Sequence, residues 1–204
     1  LEECHEMLDI DLTMLKASVY SLRESDTAEM SVNIYKLDKK INRFERDVRR
    51  KIMTHLAVSG TQDAGSGLVL VSVVVDIERI GDYTKNIYEM ALHHPSRLTC
   101  GSLEEDICTI EHNVLSLFEK GTEAFKSQDI PAAQQLMKTY RAEISNLADD
   151  IANNIISGKT TDLTPDQSAS IALYARFLKR IGGHSKNLVS SVVNPFERIG
   201  YREK

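Results

Sequence analysis

The sequence has few of the residues that make turns. Four prolines and ten glycines are spread over 204 residues, and tryptophan is absent. Because sandwiches and barrels of short strands need turn residues at regular intervals, this composition argues against an all-β fold. Hydrophobic residues make up 42% and charged residues 27%, which argues against disorder. A chain of this length can bury a core without disulfides or metals as staples.

Paired cysteines, excess basic charge and long apolar runs are also missing. The three cysteines (Cys4, Cys100 and Cys108) form no C-x-x-C pair, which favours a reducing compartment over a disulfide framework or a structural zinc site. A net charge of −5 disfavours nucleic acid as a partner. The longest apolar stretch, 68–75, is too short to span a membrane, and no signal peptide is present. Because Leu1 already lies on a helical stripe, we expect a trimmed or processed chain.

Apolar residues recur at helical spacing along most of the chain. The first stripe comprises Leu1, His5, Leu8, Leu12, Leu15, Val19 and Leu22. Asp26 and Glu29 predict a capping box that starts a second helix, whose stripe runs from Met30 to His55. Residues 60–67 predict a loop. The valine-rich segment 68–75 has strand propensity, but its apolar register continues to residue 91 and predicts one helix over 68–92.

The second half repeats this plan. Stripes over 103–125 and 133–155 predict two helices, and Thr164, Pro165 and Gln167 predict the capped start of a last one. Residues 77–87 (IERIGDYTKNI) align with 178–188 (LKRIGGHSKNL) at a shift of 101. This internal duplication predicts an all-α fold of two tandem three-helix bundles, six long helices in total, over residues 1–96 and 97–204.

Four acidic residues of the first half are candidate metal ligands. Glu78 and Asp82 lie one turn apart beside the stripe of the third helix, and Asp38 and Glu45 lie beside the stripe of the second. If these helices are neighbours, the carboxylates converge, and a cation would hold them ionised. Iron, zinc, manganese and magnesium are candidates. The alternative is that the four acids form a solvated face without a ligand.

All four acids are absent from the corresponding positions of the second half. Asp38 corresponds to Arg141, Glu45 to Ala148, Glu78 to Lys179 and Asp82 to Gly183. Joint loss is typical of one site that decayed as a unit, although drift on an exposed face remains an alternative. We therefore predict at most one metal site per chain, in the first repeat.

Gly81 and Gly182 occupy matching mid-helix positions on the packing faces, where glycine costs roughly 1 kcal/mol relative to alanine. They predict close approach of a neighbouring backbone. No nucleophile triad, P-loop, dinucleotide motif or paired Glu-x-x-His motif is present, so we expect no enzyme.

Residues 76–89 (DIERIGDYTKNIYE) resemble the signature of the PhoU family of phosphate-uptake regulators, and residues 38–45 (DKKINRFE) resemble the acidic second helix of that family. The resemblance implies a cytoplasmic regulator that binds metal through Glu78 and Asp82, with Asp38 and Glu45 as further ligands. It also implies docking to a phosphate ABC transporter and its sensor histidine kinase, which restrains phosphate-starvation signalling. Membrane association would be peripheral, through the transporter, and a homodimer is expected.

Lys179 and Gly183 depart from the family pattern, because PhoU proteins typically carry a metal motif in both halves. Two alternatives stay open. The chain could be the cytoplasmic PhoU-like domain of a sodium/phosphate cotransporter, which the hydropathy of any residues before Leu1 would decide. It could also be a metal-free helical interaction scaffold.

Overall fold

The computed structural model describes residues 1–201, except for the side chain of Thr61, and no strand occurs within that range. The helices are α1 (Glu2–Arg23), α2 (Ile34–Ser59), α3 (Ala64–His93), α4 (Glu104–Ser127), α5 (Ile130–Tyr140), α6 (Asn146–Ile156) and α7 (Pro165–Val193). A π-helical turn, Arg141–Ser145, joins α5 to α6, so that the two form one rod. The six rods confirm the predicted all-α fold of two tandem three-helix bundles.

The first bundle consists of α1, α2 and α3. The predicted stripe of α1 was wrong in part, because Leu1 is exposed and Leu12 and Val19 are only partly buried. Since α1 contacts α2, α3 and α4, its buried surface is wider than one stripe. The residues of α1 that are buried are Cys4, Met7, Leu8, Asp11, Met14, Leu15, Ala17, Ser18, Ser21 and Leu22.

The start of α2 was also predicted wrongly. The N-cap is Asn33, whose side chain accepts a hydrogen bond from the Lys36 amide, and not Asp26. Asp26 instead accepts from the Arg97 amide at 3.2 Å, which ties the loop after α1 to the segment after α3. The capping-box spacing was matched by chance in a connection that is not helical.

The valine-rich segment is helical, as predicted from its register. Helix α3 begins at Ala64, earlier than expected, because Gly65 and Gly67 are accommodated in its first turn and the loop shortens to the 3-10 turn Gly60–Asp63. It ends at His93, one residue after the predicted end. Tertiary packing against α1 and α2 outweighs the strand propensity of valine here.

The second bundle consists of α4, the α5–α6 rod and α7. Thr164 and Gln167 form the predicted capping box at the start of α7. After Pro195 and the 3-10 turn Phe196–Arg198, the chain folds back on α7, where the Gly200 amide donates to Ser190 Oγ at 2.9 Å. Residues 196–200 therefore pack against the end of α7.

Helices α3 and α7 pack against each other and hold the two bundles together. At their contact the buried Asp76 carboxylate accepts from Asn187 Nδ2 at 2.9 Å, and its Oδ1 lies 2.7 Å from His184 Nδ1. Tyr83 of α3 stacks on the His184 ring with centroids 5.9 Å apart. The repeats therefore share a polar and aromatic contact as well as an apolar one.

The mid-helix glycines do permit close approach, but of side chains and not of backbone. A Cβ on Gly81 would lie 2.8 Å from Asp11 Oδ1 and 3.2 Å from Ile41 Cδ1, and one on Gly182 would lie 3.0 Å from Ile144 Cγ2. The two positions are equivalent in the duplication, yet a carboxyl packs on the first and an isoleucine on the second.

None of the helices within residues 1–201 is long and apolar enough to cross a lipid bilayer.

Candidate functional site

The first bundle brings together the four predicted acids and a fifth from α1. Three helices contribute the carboxyl groups, which we call the acidic cluster: Asp11 on α1, Asp38 and Glu45 on α2, and Glu78 and Asp82 on α3. Their proximity shows in their mutual repulsion, because the charges of Glu78, Asp38 and Asp82 all raise the pKa of Asp11. The second and third helices are neighbours, as expected, and the metal site between them stays a prediction.

Asp11 is the member of the cluster that sequence reasoning missed. It is fully buried, and within residues 1–201 neither of its carboxylate oxygens has a hydrogen-bond partner. Burial raises its pKa well above the usual range, and the three neighbouring carboxylates raise it further. A signal was available, since an acid stands at the centre of a face otherwise formed by Met7, Leu8, Met14 and Leu15.

Glu78 and Glu45 form the outer end of the cluster. Burial raises the pKa of Glu78, and the charge of Asp82 adds to the effect, while Arg79 opposes it. Glu45 also repels Glu78 and is itself paired with Arg49 at 2.8 Å. These side chains are only partly exposed, so their charges are screened less than those of surface carboxylates.

Lys85 supplies an internal cation at the other end. Its Nζ lies 2.8 Å from Asp38 Oδ1 and 3.3 Å from Asp82 Oδ1, and it thereby joins α2 to α3. Burial alone would lower the pKa of Lys85, but the hydrogen bond to Asp38 and the charges of Asp38 and Asp82 raise it. Sequence reasoning expected a bound cation at this seam and did not consider the lysine one turn further on.

The cluster has the donor chemistry of a site for a hard cation, since every ligand would be a carboxylate oxygen. The buried, unpaired Asp11 carboxyl is the observation that fits such a cation best. Over the described residues 1–201, however, no three His, Cys, Asp or Glu side chains form a ready-made metal-binding group. In this structure Lys85, Arg79 and Arg49 provide the opposing charge.

The equivalent place in the second bundle has the opposite charge. Lys179, which replaces Glu78, pairs with Asp149 at 2.6 Å. Gly183, which replaces Asp82, lies beside the Tyr140 ring, whose hydroxyl donates to the Lys179 carbonyl at 3.4 Å. Arg141, at the position of Asp38, is exposed in the π-helical turn. The second repeat therefore keeps the packing stripe and lacks the acidic cluster.

The fold and the duplicated motif define a protein of two tandem helical repeats, one of which carries an acidic cluster. The family model for the PhoU domain matches the chain twice, over residues 4–91 and 107–192, and the chain belongs to the PhoU family. No curated protein sequence matches it significantly.

Two solved structures share the fold. PhoU from Pseudomonas aeruginosa superposes with a TM-score of 0.77 at 20% identity, covering 94% of this chain and 92% of the other. A protein from Streptococcus pneumoniae, described as the phosphate transport system regulatory protein PhoU, has a TM-score of 0.78 at 18% identity, covering 94% of this chain and 90% of the other. At such identities the likeness concerns the fold.

Proposed function

We propose that the chain is a non-enzymatic regulator of phosphate uptake and phosphate-starvation signalling that holds a metal ion in its first repeat. Membership of the PhoU family supports the regulatory role. The observation that carries the metal site is the buried carboxyl of Asp11, unpaired within residues 1–201 and surrounded by Asp38, Glu78 and Asp82. A buried carboxyl with no partner is costly, and a cation compensates for that cost.

The ligands would come from all three helices of the first bundle. Asp11, Asp38, Glu78 and Asp82 would hold the ion, with Glu45 behind Glu78, and the ion would supply positive charge to a site crowded with carboxylates. Iron, zinc, manganese and magnesium are the candidate ions. Because Lys85 now joins Asp38 to Asp82, its ammonium would have to give up at least one of these contacts. The bundle would otherwise act as a rigid body on which partners dock.

Elemental analysis of protein purified without a chelating resin tests the site. We expect about one metal ion or one cluster per chain in the wild type, and a loss of most of it in Glu78→Gln combined with Asp82→Asn. The matched control is Glu105→Gln combined with Asp150→Asn, which removes the same charge from two exposed positions of the second repeat. Equal metal content in wild type and the Glu78/Asp82 variant would refute the site.

A thermal measurement provides a second readout. An ion that binds only the folded chain stabilises the fold by mass action. A strong chelator should therefore lower the melting temperature of the metal-loaded wild type. The Glu78/Asp82 variant should not respond to the chelator. An unchanged wild-type melting temperature would count against a metal that holds the three helices together.

The proposed partners are the ATPase of a phosphate ABC transporter and a sensor histidine kinase. The chain would act as a homodimer, and it would associate with the membrane only through the transporter. Binding of the purified chain to each partner, measured by biolayer interferometry, tests this. If the chain is instead the regulatory domain of a sodium/phosphate cotransporter, it should bind neither. Sedimentation equilibrium tests the dimer.

A metal-free helical scaffold is the second candidate, and the Lys85 bridge favours it. An ammonium that already joins Asp38 to Asp82 can hold α2 to α3 without a metal. On this alternative, elemental analysis of the wild type finds no more metal than that of the Glu78/Asp82 variant. Partner binding then does not change when chelator is added.

A further inference from the structure

A basic cleft opens between the α5–α6 rod and α7 in the second repeat. Its volume is about 220 Å³. The residues that line it are Tyr140, Arg176, Lys179, Arg180, Gly183, His184, Lys186 and Asn187. Four of them are lysine or arginine and none is a carboxylate, although the whole chain carries a net charge of −5. This local excess of positive charge should attract anions to the cleft.

Two of the cations keep their charge uncompensated. Arg176 and Arg180 are exposed, and within residues 1–201 neither makes an ion pair with a carboxylate. Arg180 is held in place by Tyr83, because its Nε donates to the Tyr83 hydroxyl at 3.1 Å and its guanidinium lies 5.6 Å from the ring centroid. An oriented guanidinium loses little entropy on binding a ligand.

The remaining polar groups of the cleft are fixed by contacts outside it. Lys179 pairs with Asp149, which does not line the cleft. Lys186 donates to the Gly200 carbonyl, with its ammonium 5.7 Å from the Tyr140 ring centroid. His184 and Asn187 both rest on Asp76 of α3. The contact between the bundles and the segment that folds back on α7 at Gly200 therefore hold the walls of the cleft in place.

The cleft occupies the place in the second repeat where the first repeat carries its acidic cluster. Lys179 stands at the position of Glu78, and Gly183 at that of Asp82. A Cβ on Gly183 would lie 3.2 Å from the Tyr140 hydroxyl, so a larger residue would narrow the opening. The duplication has thus kept the framework of a charged site and reversed its sign.

We propose that the second repeat binds inorganic phosphate in this cleft. The forked donors of arginine match the oxygens of a phosphate, and the two exposed arginines, Arg176 and Arg180, balance its charge. The volume lies below the 300 to 1,000 Å³ of typical sites for larger ligands, which favours a free oxyanion over a nucleotide. The inference extends the proposed regulatory function by naming a ligand, and it rests on residues that lie outside the acidic cluster.

Isothermal titration of the full chain with inorganic phosphate, in chloride buffer of low ionic strength, tests the proposal. We expect saturable binding that weakens as chloride is added. Arg176→Ala combined with Arg180→Ala should weaken binding about tenfold or more. The matched control, Lys39→Ala combined with Arg46→Ala, removes the same charge from exposed positions of α2 and should change the affinity less than about twofold.

Further titrations identify the ligand and exclude misfolding as the cause of lost binding. Arg176→Glu changes only one exposed side chain and should also abolish most of the binding. Phenyl phosphate should bind more weakly than inorganic phosphate, because its ring exceeds the cleft; equal or tighter binding would assign the site to a phosphorylated group instead. Absence of saturable binding at millimolar phosphate, or unchanged binding in the arginine variants, would overturn the proposal.

The outcome can be separated from that of the proposed function. The Glu78→Gln and Asp82→Asn variant should lose metal and keep phosphate affinity, because neither residue lines the cleft. If phosphate fails to bind while metal and partner binding are found, the regulatory function stands and the phosphate site alone is refuted.

Discussion

Gly81 of α3 and Asp11 of α1 pack so closely that a Cβ on the glycine would lie 2.8 Å from the carboxyl Oδ1. The contact buries the Asp11 carboxyl completely and places it among the acids of α2 and α3. A glycine in the middle of a helix therefore determines whether α1 can take part in the acidic cluster.

Gly81→Ala should destabilise the protein despite the better helix propensity of alanine. Alanine gains roughly 1 kcal/mol in a helix. The added methyl would also overlap Asp11 Oδ1 and press on Ile41 Cδ1 at 3.2 Å, and overpacking of this kind costs about 1 to 3 kcal/mol. Urea denaturation should show a lower free energy of unfolding.

Gly65→Ala is the matched control, because it lies in the same helix with no atom within 4 Å of the added Cβ. It should leave the free energy of unfolding unchanged or raise it by up to about 1 kcal/mol. If both substitutions stabilise the protein equally, the close contact between Gly81 and Asp11 is not present in solution.

The repeat architecture was predictable because duplication and period are properties of many residues at once. Segment 68–75 shows this, since its valines favour a strand and only the continued register to residue 91 indicates a helix. Helix starts depend on single side chains, and the start of α2 was misplaced because Asp26 and Glu29 match a capping box while Asn33 forms the cap.

Lys85→Gln should separate an internal cation from a bound one. In the presence of chelator, loss of the ammonium leaves Asp38 and Asp82 without their shared partner, and we expect a destabilisation of about 1 to 3 kcal/mol. If the cluster binds metal, manganese should raise the melting temperature of the variant by more than that of the wild type, since no lysine competes.

Lys36→Gln provides the comparison, because this exposed lysine of α2 makes no ion pair among the described residues. It should respond to chelator and manganese as the wild type does. A Lys85→Gln protein as stable as this control in chelator would show that the bridge contributes nothing.

The candidate site was predictable only in part. The four predicted acids lie beside apolar stripes, and the packing of α2 against α3 is enough to bring them near each other. They are Glu78, Asp82, Asp38 and Glu45. Asp11 and Lys85 were missed because their roles depend on packing: Asp11 on the burial of α1 against Gly81, and Lys85 on the separation of α2 from α3.

The three thiols should differ sharply in reactivity. Burial raises the pKa of Cys4 to about 11 and that of Cys100 to about 12, so neither forms appreciable thiolate at neutral pH. Cys108 is exposed, and burial raises its pKa as well, but less. Titration of the native chain with Ellman's reagent should modify one thiol, and Cys108→Ser should remove that reaction, whereas all three thiols should react in denaturant.

Arg23→Ala should be among the most destabilising substitutions. The Arg23 side chain is only 7% exposed, and its guanidinium donates to Glu111, Glu104 and the Leu98 carbonyl, so it ties α1 to α4 and to the segment before it. Burial alone would lower the pKa of Arg23, but the charge of Glu111 and the hydrogen bond to Glu104 raise it. Because truncation removes a buried guanidinium and leaves the partly buried Glu111 with only its hydrogen bond from Tyr174, we expect a loss of about 3 to 5 kcal/mol in denaturant unfolding. Arg97→Ala is the comparison, since its ion pair with Asp26, at 3.7 Å, is exposed and should contribute less than about 1 kcal/mol. Similar losses for the two variants would mean that the Arg23 network does not hold the two bundles together.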